Sequence, residues 1–388
     1  MATASPPARL EPVPISPTEG ATVFVALRDL RFAKGRFTLM GAVVALLTGL
    51  VLFLYGLTGG LAADSSSALA GLPARAVVFG GPAVSFTDSA IDAGQRAAWQ
   101  AAADARPLGV SMTRLGTGAG GAASGTGSGG GRAASSVSVV GVDPALQPRA
   151  TVGDNPRPGE VAVSAGVAAE LGLHPGDPVT LGPARLTVSG ITPDRSWGHA
   201  PTVWTDEPTW ERIGGGAQPS ALVVAGSGPA GKESAKALDA ASHTRTVTLD
   251  ASKSGIDGFS AEQGSLTLIQ GFLFAISALV AGAFFTVWTV QRKADIAVLK
   301  AIGAGSGYLV RDALGQALAL LLLGGAVGAA AGAVGGAVLK ASGTPFTLDA
   351  ATVAVPLSAM VVLGLAGAAL AVRRIVAVDP LTALGAAR

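Results

Sequence analysis

Cysteine is absent from all 388 residues, which excludes disulfides, thiolate metal sites and cysteine nucleophiles together. The redox compartment stays open, because an extracytoplasmic domain can do without bridges. Histidine is scarce: His174, His199 and His243 are few for zinc chemistry. Charge is scarce too, at 13% of residues, and a net charge of +2 gives nothing that points to nucleic acid. The chain also lacks HExxH, GxSxG and any metal-spaced cluster, so no catalytic constellation and no metal site is expected.

What is present is apolar. Hydrophobic residues make up 49% of the chain, mean hydropathy is +0.51 and there are 55 glycines. That balance is too apolar for an ordinary soluble domain and points to membrane insertion. Four windows carry no charge at all: 27 residues between Arg36 and Asp64, 29 between Glu262 and Arg292, 27 between Asp312 and Lys340, and 23 between Asp349 and Arg373. A spanning helix needs about 20 apolar residues, so each window suffices. The first run exceeds the usual length of a signal-peptide core and reads as a span.

Lys and Arg set the orientation. Arg28, Arg31, Lys34 and Arg36 precede the first span, Arg292, Lys293, Lys300 and Arg311 lie between the second and third, and Arg373, Arg374 and Arg388 follow the fourth. Only Lys340 lies between the third and fourth. The positive-inside rule then places both termini in the cytoplasm of a multi-pass cell-membrane protein.

The expected fold is four transmembrane α-helices with one α+β extracytoplasmic domain inserted between helices 1 and 2. The expected divisions are a disordered tail (1–23), a cytoplasmic amphipathic helix (24–36), the first span (37–60) and the outer domain (61–264). The second span (265–290), a cytoplasmic helix loop (291–307), the third span (308–339), an outer loop (340–350), the fourth span (351–372) and a tail (373–388) follow. Within the outer domain, 117–136 has no side chains able to form a core and reads as a flexible insertion. Around it, "RAVVFG", "SVSVVGVDP", "EVAVS", "PVTL", "ARLTVSGI", "PTVWT", "ALVVA" and "RTVTL" read as strands, and "GVAAELGLHPGD" as a short helix ending in a turn.

"GSGPAGKE" (226–233) matches a phosphate-binding loop formally, but Glu233 stands where Ser or Thr must ligate magnesium. Any ATP must therefore be bound by a separate subunit. Gly324, Gly328, Gly332 and Gly336 recur every fourth residue and line one helix face, where missing side chains let another backbone approach. In "RKADIAVLKAIG", Ile296, Leu299 and Ile302 oppose Lys293, Asp295 and Lys300, a short amphipathic helix stopped by Gly303. Its apolar face needs a partner or the membrane surface.

"RKADIAVLKAIGAG" after the second span, "VDPLTALGA" after the fourth and a single large outer domain resemble the FtsX/MacB-type ABC transporter permeases. "GLHPGDPVTLGPARLTVSGI" and "PTVWTDEPTW" resemble their extracytoplasmic core domain. Asp295 stands where that family more often has glutamate. "FVALRDLRFAKGRF" looks most like the DevC/HrtB branch, whose HrtB members export haem. The resemblance implies a homodimer, with lipid around it, served by two cytosolic ATPase subunits. A groove in each ATPase would take Asp295, Ile296, Leu299, Lys300 and Ile302.

Haem as transported substrate requires an apolar slot and an axial ligand such as His, Met, Cys or Tyr. Met40 and Tyr55 in the first span and Glu262 at the head of the second are the substrate-binding residues expected. The same machinery acting on a lipid, lipoprotein or peptide, or an FtsX-like regulator of a cell-wall enzyme that moves no substrate, are the alternatives.

Overall fold

The computed structural model describes residues 34–117, 134–226, 232–291, 298, 302–303 and 305–376. The expected N-terminal tail and most of the segments 24–36, 117–136, 291–307 and 373–388 lie outside them; residues 373–376 continue the last helix. The described chain opens with α1 (Lys34–Ser65). It continues through β1 (Ala76–Phe79), α2 (Ala93–Ala102), β2 (Ala105–Thr117), β3 (Ala134–Val142), β4 (Val152–Gly153), β5 (Glu160–Ser164) and α3 (Ala165–Leu171). Then come β6 (Pro178–Leu181), β7 (Ala184–Thr192), β8 (Ser196–Trp197), β9 (Ala200–Thr205), β10 (Ala221–Val224), α4 (Lys232–Ser242) and β11 (Arg245–Thr248). Three long helices close it: α5 (Phe259–Gln291), α6 (Ser306–Ala341) and α7 (Ala350–Val376). Two compact units result, one of residues 56–269 with 339–347, the other of the remaining helical segments.

The sheet unit has two halves sharing β2. In the first, β2, β3, β9, β5, β7 and β6 pair in turn and β6 returns to β2, so six strands close on themselves. The pairs β3–β9 and β5–β7 are parallel; the other four are antiparallel. Closure leaves no free edge inside the ring, and its inside is filled by aliphatic residues such as Leu115, Val139, Val163, Leu181 and Val203 with Trp210. Glycine is required around that indole. A Cβ at Gly109, Gly141 or Gly215 would lie 2.4, 2.4 or 2.2 Å from Trp210 atoms.

In the second half, β11, β1, β10 and β2 form an antiparallel sheet buried on both faces. Val78, Leu222 and Val224 meet Trp99 of α2 and Leu238 of α4 on one face. Val77, Phe79 and Val223 meet Phe86, Trp197 and Trp204 on the other. Burial on both faces explains the continuous apolar run "AVVF" in β1. Asp92 caps α2 in a reciprocal box with Gln95. Trp99 Nε1 donates to Thr244 Oγ1 (3.0 Å), which donates to Asp239 Oδ1 (2.9 Å), tying α2 to the C-terminal end of α4.

In the helical unit, four helices are long and apolar enough to cross a membrane. Glycines set their spacing. A Cβ at Gly324 would stand 3.0 Å from the Gly41 carbonyl oxygen, at Gly328 2.2 Å from that of Ala45, and at Gly332 3.0 Å from that of Gly49. Gly336 is buried on the same helix. At the far end of α1, within the sheet unit, a Cβ at Gly56 would enter the Phe346 ring at 2.3 Å, and Thr347 donates both its N–H and its hydroxyl to the Gly56 carbonyl. The helices outrun their expected boundaries: α1 passes without a break through 34–36, and α5 starts at Phe259.

Candidate functional site

Trp197 is the anchor from which the site is built. Its ring, 6% exposed, packs edge-on against Phe86 with centroids 4.7 Å apart, and its carbonyl accepts from Ser138 Oγ at 3.0 Å. The next residue, Gly198, takes φ +62° and gives its N–H to the Ser65 carbonyl at 2.8 Å. A buried indole and a left-handed glycine together turn the chain so that His199, at the tip of the β8–β9 hairpin, faces outward with its side chain 65% exposed.

There His199 meets Glu262. The glutamate sits in the first turn of α5, and its Oε2 lies 2.9 Å from His199 Nε2. An ionised carboxylate only accepts, so Nε2 carries the proton and donates it; in the neutral imidazole that arrangement leaves Nδ1 its lone pair. The pairing fixes the tautomer and orients the ring, as carboxylate partners do for metal-ligating imidazoles.

His199 also lines a cleft of about 950 Å³, within the size range of small-molecule sites. Phe86, Trp197 and Ile256 form apolar wall, β2 supplies Val110 and Met112, and Ser111, Ser136 and Gln218 carry polar groups. Met112 is 71% exposed. Asp257, also lining the cleft, accepts from the Thr87 hydroxyl. Among the described residues no three His, Cys, Asp or Glu side chains gather as a metal site.

The other expected site residues do not line this cleft. Tyr55 is half-buried on α1 in the helical unit. Met40, 7% exposed, packs with Val44, Phe285, Ala317, Leu320 and Leu321, so its thioether fills the helix core. Of the cytoplasmic loop, Asp295, Ile296, Leu299 and Lys300 lie outside the described residues. Ile302 is 76% exposed, its N–H reaches the Val298 carbonyl at 3.1 Å, and Gly303 takes φ +101°. Most of the sequence resembling a phosphate-binding loop is also outside them, and Lys232 opens α4. His199 was missed as a partner for Glu262 because 63 residues separate the two.

Residues 267–380 match the family of the FtsX-like permease C-terminal domain. A putative hemin transport system permease protein HrtB of Staphylococcus haemolyticus is 24% identical over 364 residues, covering 93% of this chain and 99% of that protein. An uncharacterized ABC transporter permease of Mycobacterium bovis is 27% identical over 385 residues, covering 94% and 99%. The chain carries an FtsX-like permease C-terminal domain and is similar over nearly its whole length to ABC transporter permeases. Among solved structures, the periplasmic region of MacB from Actinobacillus actinomycetemcomitans aligns at TM-score 0.36 and 14% identity, over 49% of this chain and 96% of that one. The extracellular domain of the transporter YknZ from Gram-positive bacteria aligns at 0.32 and 12%, over 45% and 98%. The chain's own structure has four helices long and apolar enough to span a membrane, with a mixed-sheet domain between the first two in sequence.

Proposed function

We propose that this permease is the membrane subunit of an ATP-driven export complex whose cargo is haem, expelled from the membrane toward the outer face. The observation that carries the reading is the end-to-end similarity to a putative hemin transport permease, across 93% of this chain. Two cytosolic ATPase subunits bind and hydrolyse the ATP, and two copies of the permease stand between them. Both termini and the loop 291–307 face the cytoplasm, where basic residues concentrate.

Energy enters through the loop. The apolar side chains of Ile296, Leu299 and Ile302 seat in an ATPase groove, while Asp295 and Lys300 fix the register at its rim. The exposure of Val298 and Ile302 supports a docked partner at this segment. Closure of the ATPases moves the loop, and α5, which runs unbroken from Gln291 back to Phe259, carries the motion toward Glu262 and His199. Tyr55 contacts the cargo in the helical unit and Glu262 helps to hold it in the sheet unit; the packing of Met40 favours a structural part for that residue.

The test is co-expression with an ATPase subunit in a haem-sensitive bacterium. Growth on otherwise toxic haem, lost on Leu299→Asp with the permease still in the membrane, supports the reading. Haem tolerance that never depends on the permease refutes it.

A further inference from the structure

The cleft beside His199 is lined by residues of the sheet unit alone. It brings together two side chains of the kind that ligate haem iron, an imidazole and a thioether. Neither is used in packing: His199 is 65% exposed and Met112 71%. The carboxylate of Glu262, 2.9 Å from Nε2, leaves Nδ1 as the metal-binding nitrogen and raises its basicity.

The rest of the cleft suits a porphyrin better than a bare ion. A free zinc or copper ion needs three or four protein ligands, and no such group gathers among the described residues. A porphyrin brings four nitrogens of its own and asks the protein only for axial ligands. Val110 and the exposed Met112 side chain offer apolar surface above the edges of the buried Phe86 and Trp197 rings, and Ser111, Ser136 and Gln218 offer donors for its carboxylates.

We propose that this extracytoplasmic cleft is a haem-receiving site, in which His199 and Met112 ligate the iron and Glu262 positions the imidazole. The inference rests on the haem-export reading and adds a station to it. Haem leaving the membrane is held in the sheet domain, at the head of α5, before release. Because α5 carries Glu262, movement of that helix shifts the histidine's partner and changes the hold on iron, so release is tied to the same element that transmits the ATPase stroke.

The experiment is titration of the purified full-length permease in detergent with hemin, read by absorbance. The variants are His199→Ala, Met112→Leu, Glu262→Gln and Tyr55→Phe. A saturable shift of the Soret band is expected for the wild type. His199→Ala and Met112→Leu each weaken it tenfold or more and alter the band shape, and added imidazole restores the His199→Ala spectrum. Glu262→Gln keeps the ligand but weakens binding about tenfold, as loss of a partner behind a metal ligand does. If His199→Ala and Met112→Leu bind hemin like the wild type while Tyr55→Phe does not, the cleft is refuted and haem export survives. If the wild type shows no saturable change, both fall. High exposure of the two ligands means that truncating them leaves the core intact, which circular dichroism of each variant verifies.

Discussion

Gly328 and Ala45 touch backbone to backbone: a Cβ on Gly328 would stand 2.2 Å from the Ala45 carbonyl oxygen. In a bilayer, helices gain little from hiding apolar surface, so close approach and van der Waals contact carry the association. A side chain there cannot be absorbed by rotamer change, because its obstacle is main chain. Gly328→Leu is expected to push α6 off α1 and to cost about 1–3 kcal/mol, the usual range for overpacking. Thermal unfolding in detergent checks this. Gly315→Ala, on the same helix with nothing within 4 Å of its Cβ position, should be near neutral.

The sheet unit has its own sensitive point at Trp99. It is fully buried between α2 and the sheet and gives its indole N–H to Thr244. Trp99→Ala should destabilise that unit by about 3–5 kcal/mol, the range for large-to-small core changes. Thr244, which bonds on to Asp239, would also lose its indole donor. Limited proteolysis should show earlier cleavage within 56–269 than for the wild type.

Asp349 gives a pH dependence. Its carboxylate is held below the ordinary value of 3.8, first by the Thr352 hydroxyl and then by the Thr352 N–H, both bonding to Oδ1 at 2.6 Å. A depressed folded pKa means that the cap contributes stability fully above the unfolded value and loses it as pH falls through the folded one. Between pH 7 and 5 its contribution should stay flat, and below about 3.8 it should fade. Asp349→Asn keeps a capping oxygen without the titration. Its melting temperature should therefore fall less than that of the wild type between pH 5 and 3. Equal falls would remove Asp349 as a cause.

The absence of cysteine makes topology testable with single labels. Ala297→Cys should react with an impermeant maleimide only after the cell membrane is opened. Ser135→Cys, on β3 of the sheet unit, should react in intact cells. The reverse pattern would invert the protein and separate the loop from any cytosolic ATPase.

The eight strand-like runs read from sequence all fall on strands, since each is a short β-branched run between turn residues. The longest strand, β2, was not legible: Pro107, Gly109 and Gly116 interrupt "ARPLGVSMTRLGT", and its apolar residues do not alternate. Pro107 is tolerated near the strand start, and Gly109 is demanded by the Trp210 ring at 2.4 Å, a constraint that only the fold creates. α2 escaped for another reason. "AGQRAAWQAA" carries one large apolar residue, too little for a periodic stripe. The glycine spacing on α6 was readable because a helix repeats its face every fourth residue, whereas the His199–Glu262 pair depends on a hairpin turn and a helix start far apart in the chain.

Export requires that cargo outside and ATP inside be coupled through the loop. The direct measurement is ATP hydrolysis by the permease–ATPase complex in lipid nanodiscs, with and without hemin. Stimulation by hemin in the wild type, and its loss together with ATPase co-purification in Leu299→Asp, is the predicted result. Hydrolysis indifferent to hemin, or a Leu299→Asp complex that assembles and responds like the wild type, would contradict it.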